Sequence, residues 1–375
     1  MAVLLSNRQK NLKDILHHIL ETFKADIDPS RGIFIKPNIV FPVRPESGEI
    51  TSPMLVKTLV SVLRERYENI DIILGEGVAA GCNPEENFRV SGYAELAREL
   101  NVPLLDLHST EYETLEWKFG KLKLPRIALE RTYINLPILK PSSACVISGA
   151  LKNQKGLLQP TMKKHFHRLG LHEQIAELNA VVKPALTIMD GSQFFGNNVF
   201  ISGNNCGEID ATACHFLGID EPEHVKLARS TQVFAEGYSI DGDKINMMRA
   251  SARPEIKEFK SIGRLRLWSN PQACTMCRYL FIDLRRNILK RKNLLAGAKL
   301  LPYSIKGAEI VMGSNPQWRR EYGTVICIGA CTRRVAQESD IYIPGCPPTV
   351  SDLSNHLPWF GKYDDDNEKP PSNPE

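Results

Sequence analysis

The sequence lacks the features that would place it among membrane, exported or strongly charged proteins. No apolar run approaches the roughly 18 residues that a membrane-spanning helix needs. Residues 1–20 contain neither an uninterrupted apolar segment nor the small-residue cleavage site of a secretory signal. The formal net charge of +4 over 375 residues is mild and gives no reason to expect a nucleic-acid partner. We therefore expect a cytoplasmic protein with no membrane span and no bound nucleic acid.

A dinucleotide-binding fingerprint is also absent. Gly75, Glu76 and Gly77 follow a predicted strand, but neither the third glycine nor the helix of that fingerprint comes next. We therefore do not expect a nicotinamide cofactor bound in the manner of a Rossmann fold.

Short apolar runs alternate along the chain with segments of helical period, which predicts an α/β protein with a mostly parallel sheet. The predicted strands cover 33–35, 70–74, 102–107, 133–136, 145–147, 185–189 and 199–201, and the predicted helices cover 11–23, 54–66, 93–100, 161–182, 210–217 and 221–229. A chain of 375 residues is too long for one ordinary core. We divide it into a substrate- or cofactor-binding α/β domain (1–230), a polar linker (231–262), a smaller domain (263–362) and a polar tail (363–375) that we expect to be disordered.

Five of the nine cysteines stand in the smaller domain, and four of them follow apolar, strand-like runs. Cys274 and Cys277 form a C-x-x-C, and Cys331 and Cys346 follow later runs. Because the carboxyl ends of parallel strands lie along one edge of a sheet, we expect these cysteines to converge. An odd number of cysteines without an export signal indicates a reducing compartment, where converging thiolates are metal ligands far more often than disulfides.

Such a set of thiolates suits either a [4Fe-4S] cluster or a tetrahedral zinc ion. Glycines beside Cys331 and Cys346 let the backbone approach a cluster and leave amides free to bond its sulfurs. Spacing alone leaves a cluster, zinc and unliganded thiols open. Cys327, four residues before Cys331, competes for the fourth position, although a cysteine inside a strand is more often a core residue.

The Gly-Cys-Pro-Pro element at Cys346, together with the C-x-x-C and the Ile-Gly-Ala-Cys at Cys331, resembles the small subunit of nickel–iron hydrogenases and the related cluster subunit of respiratory complex I. The resemblance covers about residues 263–360. It implies a flavodoxin-like α/β domain that holds one [4Fe-4S] cluster through Cys274, Cys277, Cys331 and Cys346. It favours the cluster over zinc. The chain departs from this family in its short 277–331 stretch and in the extra Cys327. We do not expect hydrogenase activity, because the sequence contains no nickel-binding C-x-x-C pair elsewhere.

Polar residues at predicted strand ends mark a second site in the first domain. Lysine and asparagine at such positions suit the capture of a carboxylate or phosphate, which indicates a small anionic ligand. The candidates for proton transfer are Glu76, His165 and Asp190. The candidate ligand-binding residues are Lys36, Asn38, Lys140, Lys152 and Asn153. The alternative for each of them is a solvated or capping side chain.

The same residues resemble the family numbered three-six-two among domains of unknown function. The resemblance covers about residues 30–228 and rests on Lys36-Pro-Asn38, Gly-Glu76-Gly, Asn135 to Lys140, Gly149 to Gly156, Lys164-His165, Met189-Asp190-Gly191 and Asp210-Ala-Thr-Ala. A histidine that usually follows the Lys140 position is replaced here by Pro141. Many members of the family carry clustered cysteines of ferredoxin type, and the reaction that the family catalyses is not implied by its name.

Three functional hypotheses follow from these observations. The first is an iron–sulfur oxidoreductase that binds a small anionic substrate or cofactor and exchanges electrons through the [4Fe-4S] cluster. The second is a non-enzymatic electron carrier or maturation partner that docks on a redox protein. The third is a ligase, isomerase or transferase without redox chemistry, in which the C-terminal cysteines hold structural zinc.

Overall fold

The protein, seen here in a computed structural model, folds as two compact units, residues 1–254 and 255–375. The structure describes residues 2–7, 10–79, 82–142, 145–191, 199–231, 238–243, 264–269, 301–303, 305–312, 320, 323–329, 332–344 and 350–357.

The first unit is built on an eight-stranded sheet with the spatial order β12-β1-β11-β10-β7-β2-β3-β4. The strands of this sheet are β1 (Ala2–Asn7), β2 (Ile33–Pro37), β3 (Ile72–Glu76), β4 (Leu104–Asp106), β7 (Thr132–Leu136), β10 (Leu186–Asp190), β11 (Val199–Gly203) and β12 (Ser239–Gly242). Strand β11 is antiparallel to both of its neighbours, and every other pair is parallel. The predicted α/β protein with a mostly parallel sheet is confirmed.

Two small antiparallel pairs accompany the large sheet. They are β5 (Tyr112–Trp117) with β6 (Gly120–Pro125), and β8 (Lys140–Ser142) with β9 (Val146–Ser148). Both faces of the large sheet are covered, since every residue of β2, β7, β10 and β11 is buried. Strands that are buried on both faces have nearly continuous apolar sequences, which is why these strands could be predicted from the sequence.

The helices of the first unit are α1 (Leu12–Thr22), α2 (Pro53–Arg66), α3 (Pro84–Val90), α4 (Tyr93–Leu100), α5 (Arg126–Glu130), α6 (Ala150–Asn153), α7 (Pro160–Leu169), α8 (Leu171–Val181), α9 (Cys206–Leu217) and α10 (Glu223–Ser230). The single helix predicted over 161–182 is wrong, because Gly170 at φ +110° separates α7 from α8. No helix in the described part of the chain is long and apolar enough to cross a bilayer.

The second unit contains a parallel sheet whose four described strands are adjacent in sequence order. They are β13 (Leu265–Ser269), β14 (Ala308–Met312), β15 (Thr324–Ile328) and β16 (Ile341–Ile343), followed by helix α11 (Val350–His356). The finer flavodoxin-like assignment stays a prediction, since it depends also on residues 270–300, which lie outside the described residues. The tail from 363 lies outside them too.

The domain boundaries also stay predictions, with one fact to add. Strand β12 lies inside the stretch 231–262 that was predicted to be a linker, and it pairs with β1. Residues 239–242 therefore contribute an edge strand to the large sheet.

Candidate functional site

Strands β2, β3 and β7 are parallel neighbours, so their carboxyl ends lie at one edge of the large sheet. Lys36 of β2 stands opposite Asn135 of β7, and Glu76 is the last residue of β3. All three side chains are buried. The edge of an otherwise apolar sheet therefore carries a compact group of charged and amide side chains.

Lys36 and Glu76 form a buried ion pair at this edge. The Lys36 Nζ lies 3.1 Å from each Glu76 carboxylate oxygen and donates at 3.2 Å to Asn153 Oδ1. Glu76 also accepts hydrogen bonds from the backbone N–H groups of Ile39 (3.1 Å) and Gly77 (2.9 Å). Burial lowers the pKa of Lys36, and the Glu76 carboxylate opposes that shift. Lys36 donates to Glu76 and Asn153, and Glu76 accepts hydrogen bonds from Lys36 and from two backbone N–H groups.

A chain of amides extends from the ion pair. Asn153 Oδ1 accepts from Asn38 Nδ2 at 2.8 Å, and Asn153 Nδ2 donates to Asn135 Oδ1 at 2.8 Å. Asn38 Oδ1 in turn accepts from Lys140 Nζ at 3.2 Å, and Lys140 also donates to the Glu49 carbonyl. Burial lowers the pKa of Lys140 to about 8. The structure therefore brings together five of the predicted residues: Lys36, Asn38, Glu76, Lys140 and Asn153.

Two glycines let the backbone approach this group. A Cβ on Gly156 would lie 2.1 Å from Glu76 Oε1 and 2.5 Å from Lys36 Nζ. A Cβ on Gly77 would lie 2.2 Å from the Gly156 carbonyl oxygen. Only glycine fits at both positions, because any side chain would displace the ion pair or separate the two loops.

Lys163 and His108 lie next to the backbone that follows Glu76. The sequence pattern did not predict either of them as a site residue. The Lys163 Nζ donates to the carbonyls of Gly77 (2.7 Å) and Val78 (2.9 Å) and lies 3.0 Å from His108 Nε2. Burial is the main reason that the pKa of Lys163 falls to about 7 and that of His108 to about 4. At neutral pH the imidazole is thus uncharged and accepts from Lys163, whose amine gains or loses a proton near neutrality.

The remaining predicted residues lie apart from this network or outside what can be described. Lys152 donates to Ser142 Oγ at 2.6 Å, away from the amides that bind its neighbour Asn153. Asp190 is buried at the end of β10, where its backbone exchanges hydrogen bonds with Pro137 and Leu139. His165 belongs to α7, but its side chain lies outside the described residues.

Asp210 positions the helix that carries Asn153. Its carboxylate accepts the N–H groups of Ala150 (2.6 Å) and Leu151 (3.0 Å) at the start of α6. Burial raises the pKa of Asp210 to about 7, against the effect of these two bonds. In the sequence, Asp210 stood out only as the first residue of the Asp210-Ala-Thr-Ala element of the family resemblance.

The cysteines fall into three groups. The predicted cluster ligands Cys274, Cys277, Cys331 and Cys346 lie outside the described residues. Cys327 is fully buried in β15, in an apolar cluster with Val311 and Val325, and burial raises its pKa. In the first unit, Cys145 lies near His172 and His224 in an arrangement able to hold a metal ion.

Comparison with known proteins identifies the larger part of the first unit. Residues 33–217 match the family described as Domain of unknown function (DUF362). The predicted resemblance is confirmed over these residues. The thylakoid-associated protein sll1697 of Synechocystis sp. is 27% identical over 176 residues, which cover 44% of this chain and 53% of that protein. The chain thus spans about half the length of this curated relative.

Among solved structures, the lactate racemase apoprotein from Thermoanaerobacterium thermosaccharolyticum aligns with a TM-score of 0.39 and 14% identity, over 58% of this chain and 56% of that one. The resemblance of residues 263–360 to hydrogenase and complex I cluster subunits stays a prediction.

Proposed function

We propose that the first unit binds a small anionic molecule at the carboxyl edge of its large sheet and that Lys163 transfers a proton there. The observation that carries this proposal is the pair of partly buried ammonium groups on Lys140 and Lys163, which are largely withdrawn from water. Their direct partners are neutral: carbonyl oxygens, the Asn38 amide and the His108 imidazole. Among the residues that the structure describes, neither has a carboxylate within ion-pair distance. A buried cation without a counterion is costly, and a carboxylate or phosphate would supply the missing charge.

The two lysines have different parts in this proposal. Lys163, with a pKa of about 7, matches the requirement for a general acid or base that works near neutral pH. Lys140, with a pKa of about 8, is more often charged and anchors the anion. Lys36 and Glu76 are engaged with each other, and they orient Asn153 and the nearby backbone. We therefore assign to Lys163 the proton-transfer role that the sequence predicted for Glu76.

We further propose that the second unit holds a [4Fe-4S] cluster on Cys274, Cys277, Cys331 and Cys346 and that the protein is an iron–sulfur oxidoreductase. Two observations support this. Strands β13, β15 and β16 are parallel, so the segments that follow them start from one edge of the sheet. Cys327 is a core residue of β15, which leaves the fourth position to Cys331.

Anion binding is tested by titrating the full chain with inorganic phosphate and with succinate in a calorimeter. We expect Lys140→Met and Lys163→Met to weaken binding by about 10- to 100-fold, because each removes one charged hydrogen bond. Lys123→Met is the control, since Lys123 is exposed on β6. Wild-type affinity for a fully ionised anion should fall as pH rises from 7 to 9 and the lysines lose their protons. Unchanged binding in both variants would contradict the proposal.

The cluster is tested separately by measuring iron, acid-labile sulfide and zinc after anaerobic purification. We expect about four irons and four sulfides per chain, lost in Cys346→Ser and retained in Cys327→Ser. One zinc without sulfide would instead favour the ligase, isomerase or transferase hypothesis. If the protein holds a cluster but binds neither phosphate nor succinate, the result would favour the second hypothesis, a non-enzymatic electron carrier or maturation partner that docks on a redox protein.

A further inference from the structure

Three potential metal ligands meet in the first unit, and none of them belongs to the amide network. Cys145 immediately precedes β9, His172 lies in the first turn of α8, and His224 lies in the first turn of α10. One ligand atom from each lies within 4.8 Å of the other two. Cys145 and His224 are fully buried, and His172 is partly buried. Three residues far apart in the chain are thus packed with their donor atoms facing one another.

The spacing of these atoms suits a metal ion. Atoms that are mutually within 4.8 Å all lie within about 2.8 Å of a common point, and zinc bonds to nitrogen and sulfur are about 2.0–2.3 Å long. The Nδ1 atoms of His172 and His224 are 3.4 Å apart. Two tetrahedral zinc–nitrogen bonds place their nitrogens about 3.4 Å apart as well. Shifts of less than about 1 Å would therefore bring the three ligand atoms to bonding distance.

A second observation concerns His224. Its Nε2 is buried and has no hydrogen-bond partner in the described part of the chain. A hydrogen bond between the two rings would explain their separation, but it explains neither the neighbouring thiol nor the unpartnered nitrogen.

We propose that Cys145, His172 and His224 bind a divalent transition metal of the zinc type, with a fourth position open to water or to a ligand. One thiolate and two imidazoles suit zinc, and three protein ligands with an open position are typical of catalytic rather than structural zinc sites. The nearby Lys152, which the sequence predicted to bind an anion, would favour an anionic group in the fourth position. The three ligands include neither a C-terminal cysteine nor Lys140 or Lys163.

The test uses cobalt(II), a spectroscopic substitute for zinc, added to the full chain after chelator treatment under anaerobic, reducing conditions. We expect a thiolate-to-cobalt charge-transfer band, and the loss of about one bound equivalent in Cys145→Ser and in His224→Gln. His224→Cys, which supplies another metal ligand, should restore that equivalent. Cys214→Ser is the matched control, because Cys214 is a buried cysteine of the same core cluster that lies outside the triad.

Two further measurements keep the result clear. Iron and sulfide content is measured in the same samples and should not change, which separates this site from the C-terminal cysteines. Circular dichroism shows that each variant is folded, and if His224→Gln does not fold, His172→Gln replaces it, since His172 is only partly buried. Equal cobalt stoichiometry and spectra in the wild type and a folded histidine variant would overturn the proposal.

Discussion

Replacing Lys163 by methionine should change how the stability of the first unit depends on pH. In the folded protein the pKa of Lys163 is about 7, against an ordinary value of 10.5. Between these values the unfolded chain binds more protons than the folded one, so the free energy of unfolding rises with pH. Each pKa unit corresponds to about 1.4 kcal/mol, and the folded Lys163 is already half deprotonated at pH 7, so Lys163 alone adds about 2 kcal/mol between pH 7 and pH 9. Methionine has a similar length and no charge, and the variant should lack this gain.

The assay is urea unfolding of the wild type and Lys163→Met at several pH values from 7 to 9. Trp117, which stacks on Phe166 of α7, gives a fluorescence signal from the helix that carries Lys163. Lys140 is present in both proteins, so its contribution cancels in the difference. Lys123→Met, a change at an exposed lysine, should follow the wild type. A constant gap between wild type and Lys163→Met across this range would refute the low pKa and the proton-transfer role built on it.

Three further changes test other parts of the structure. Asp210→Asn should lower the free energy of unfolding by about 1–3 kcal/mol, because one buried N–H at the start of α6 loses its acceptor. Because the pKa of Asp210 is about 7 in the folded protein, the wild type loses stability as pH rises from 4 to 7. The difference in free energy of unfolding between the wild type and Asp210→Asn, measured with urea, should therefore be smaller at pH 7 than at pH 5. Gly156→Ala should cost about 1–3 kcal/mol, whereas Gly323→Ala, with open space around it, should cost much less in the same assay. Cys327→Ala should reduce thermal stability but leave the iron content unchanged, since its side chain packs in the core.

Much of the fold could be predicted because the central strands are apolar along their whole length. Strands β2, β7 and β10 are buried throughout and were found within one or two residues of their observed bounds. The exceptions have local causes. Residues 161–182 show one continuous helical pattern, and only the backbone of Gly170 reveals the break. In the hairpin β5–β6, every residue of β5 is exposed or partly buried and β6 begins with two exposed residues, so the hairpin gave no apolar run to detect.

The site could be predicted as far as parallel strand ends determine it. Lys36, Glu76 and Asn135 meet because β2, β3 and β7 are neighbours. Residues on helices were harder, since their direction depends on packing that the sequence does not show. Lys152 and Asn153 are adjacent in α6, yet only Asn153 joins the amide network.

Lys163 and the proposed metal ligands show the same limit. The Lys-Lys-His stretch of α7 drew attention to His165, whereas the structure places Lys163 next to Gly77 and His108. One useful signal was present, because His108 closely follows β4, the strand next to β3. Cys145, His172 and His224 are too far apart in sequence for any motif, and only the packing of α8 on α10 brings the two histidines together.

The proton on Lys163 links the stability prediction to the proposed anion site. A solvent-exposed lysine paired with a carboxylate has a raised pKa, and such a protein loses stability as pH rises through that pKa. A buried lysine without a counterion has a lowered pKa, so the free protein gains stability with rising pH, as predicted here for Lys163. The same proton is needed to bind an anion, so affinity should fall over the range in which stability rises. Opposite pH dependences of stability and affinity, both weakened by Lys163→Met, are therefore expected of a cation held in place for a ligand, and a purely structural lysine would produce only the first.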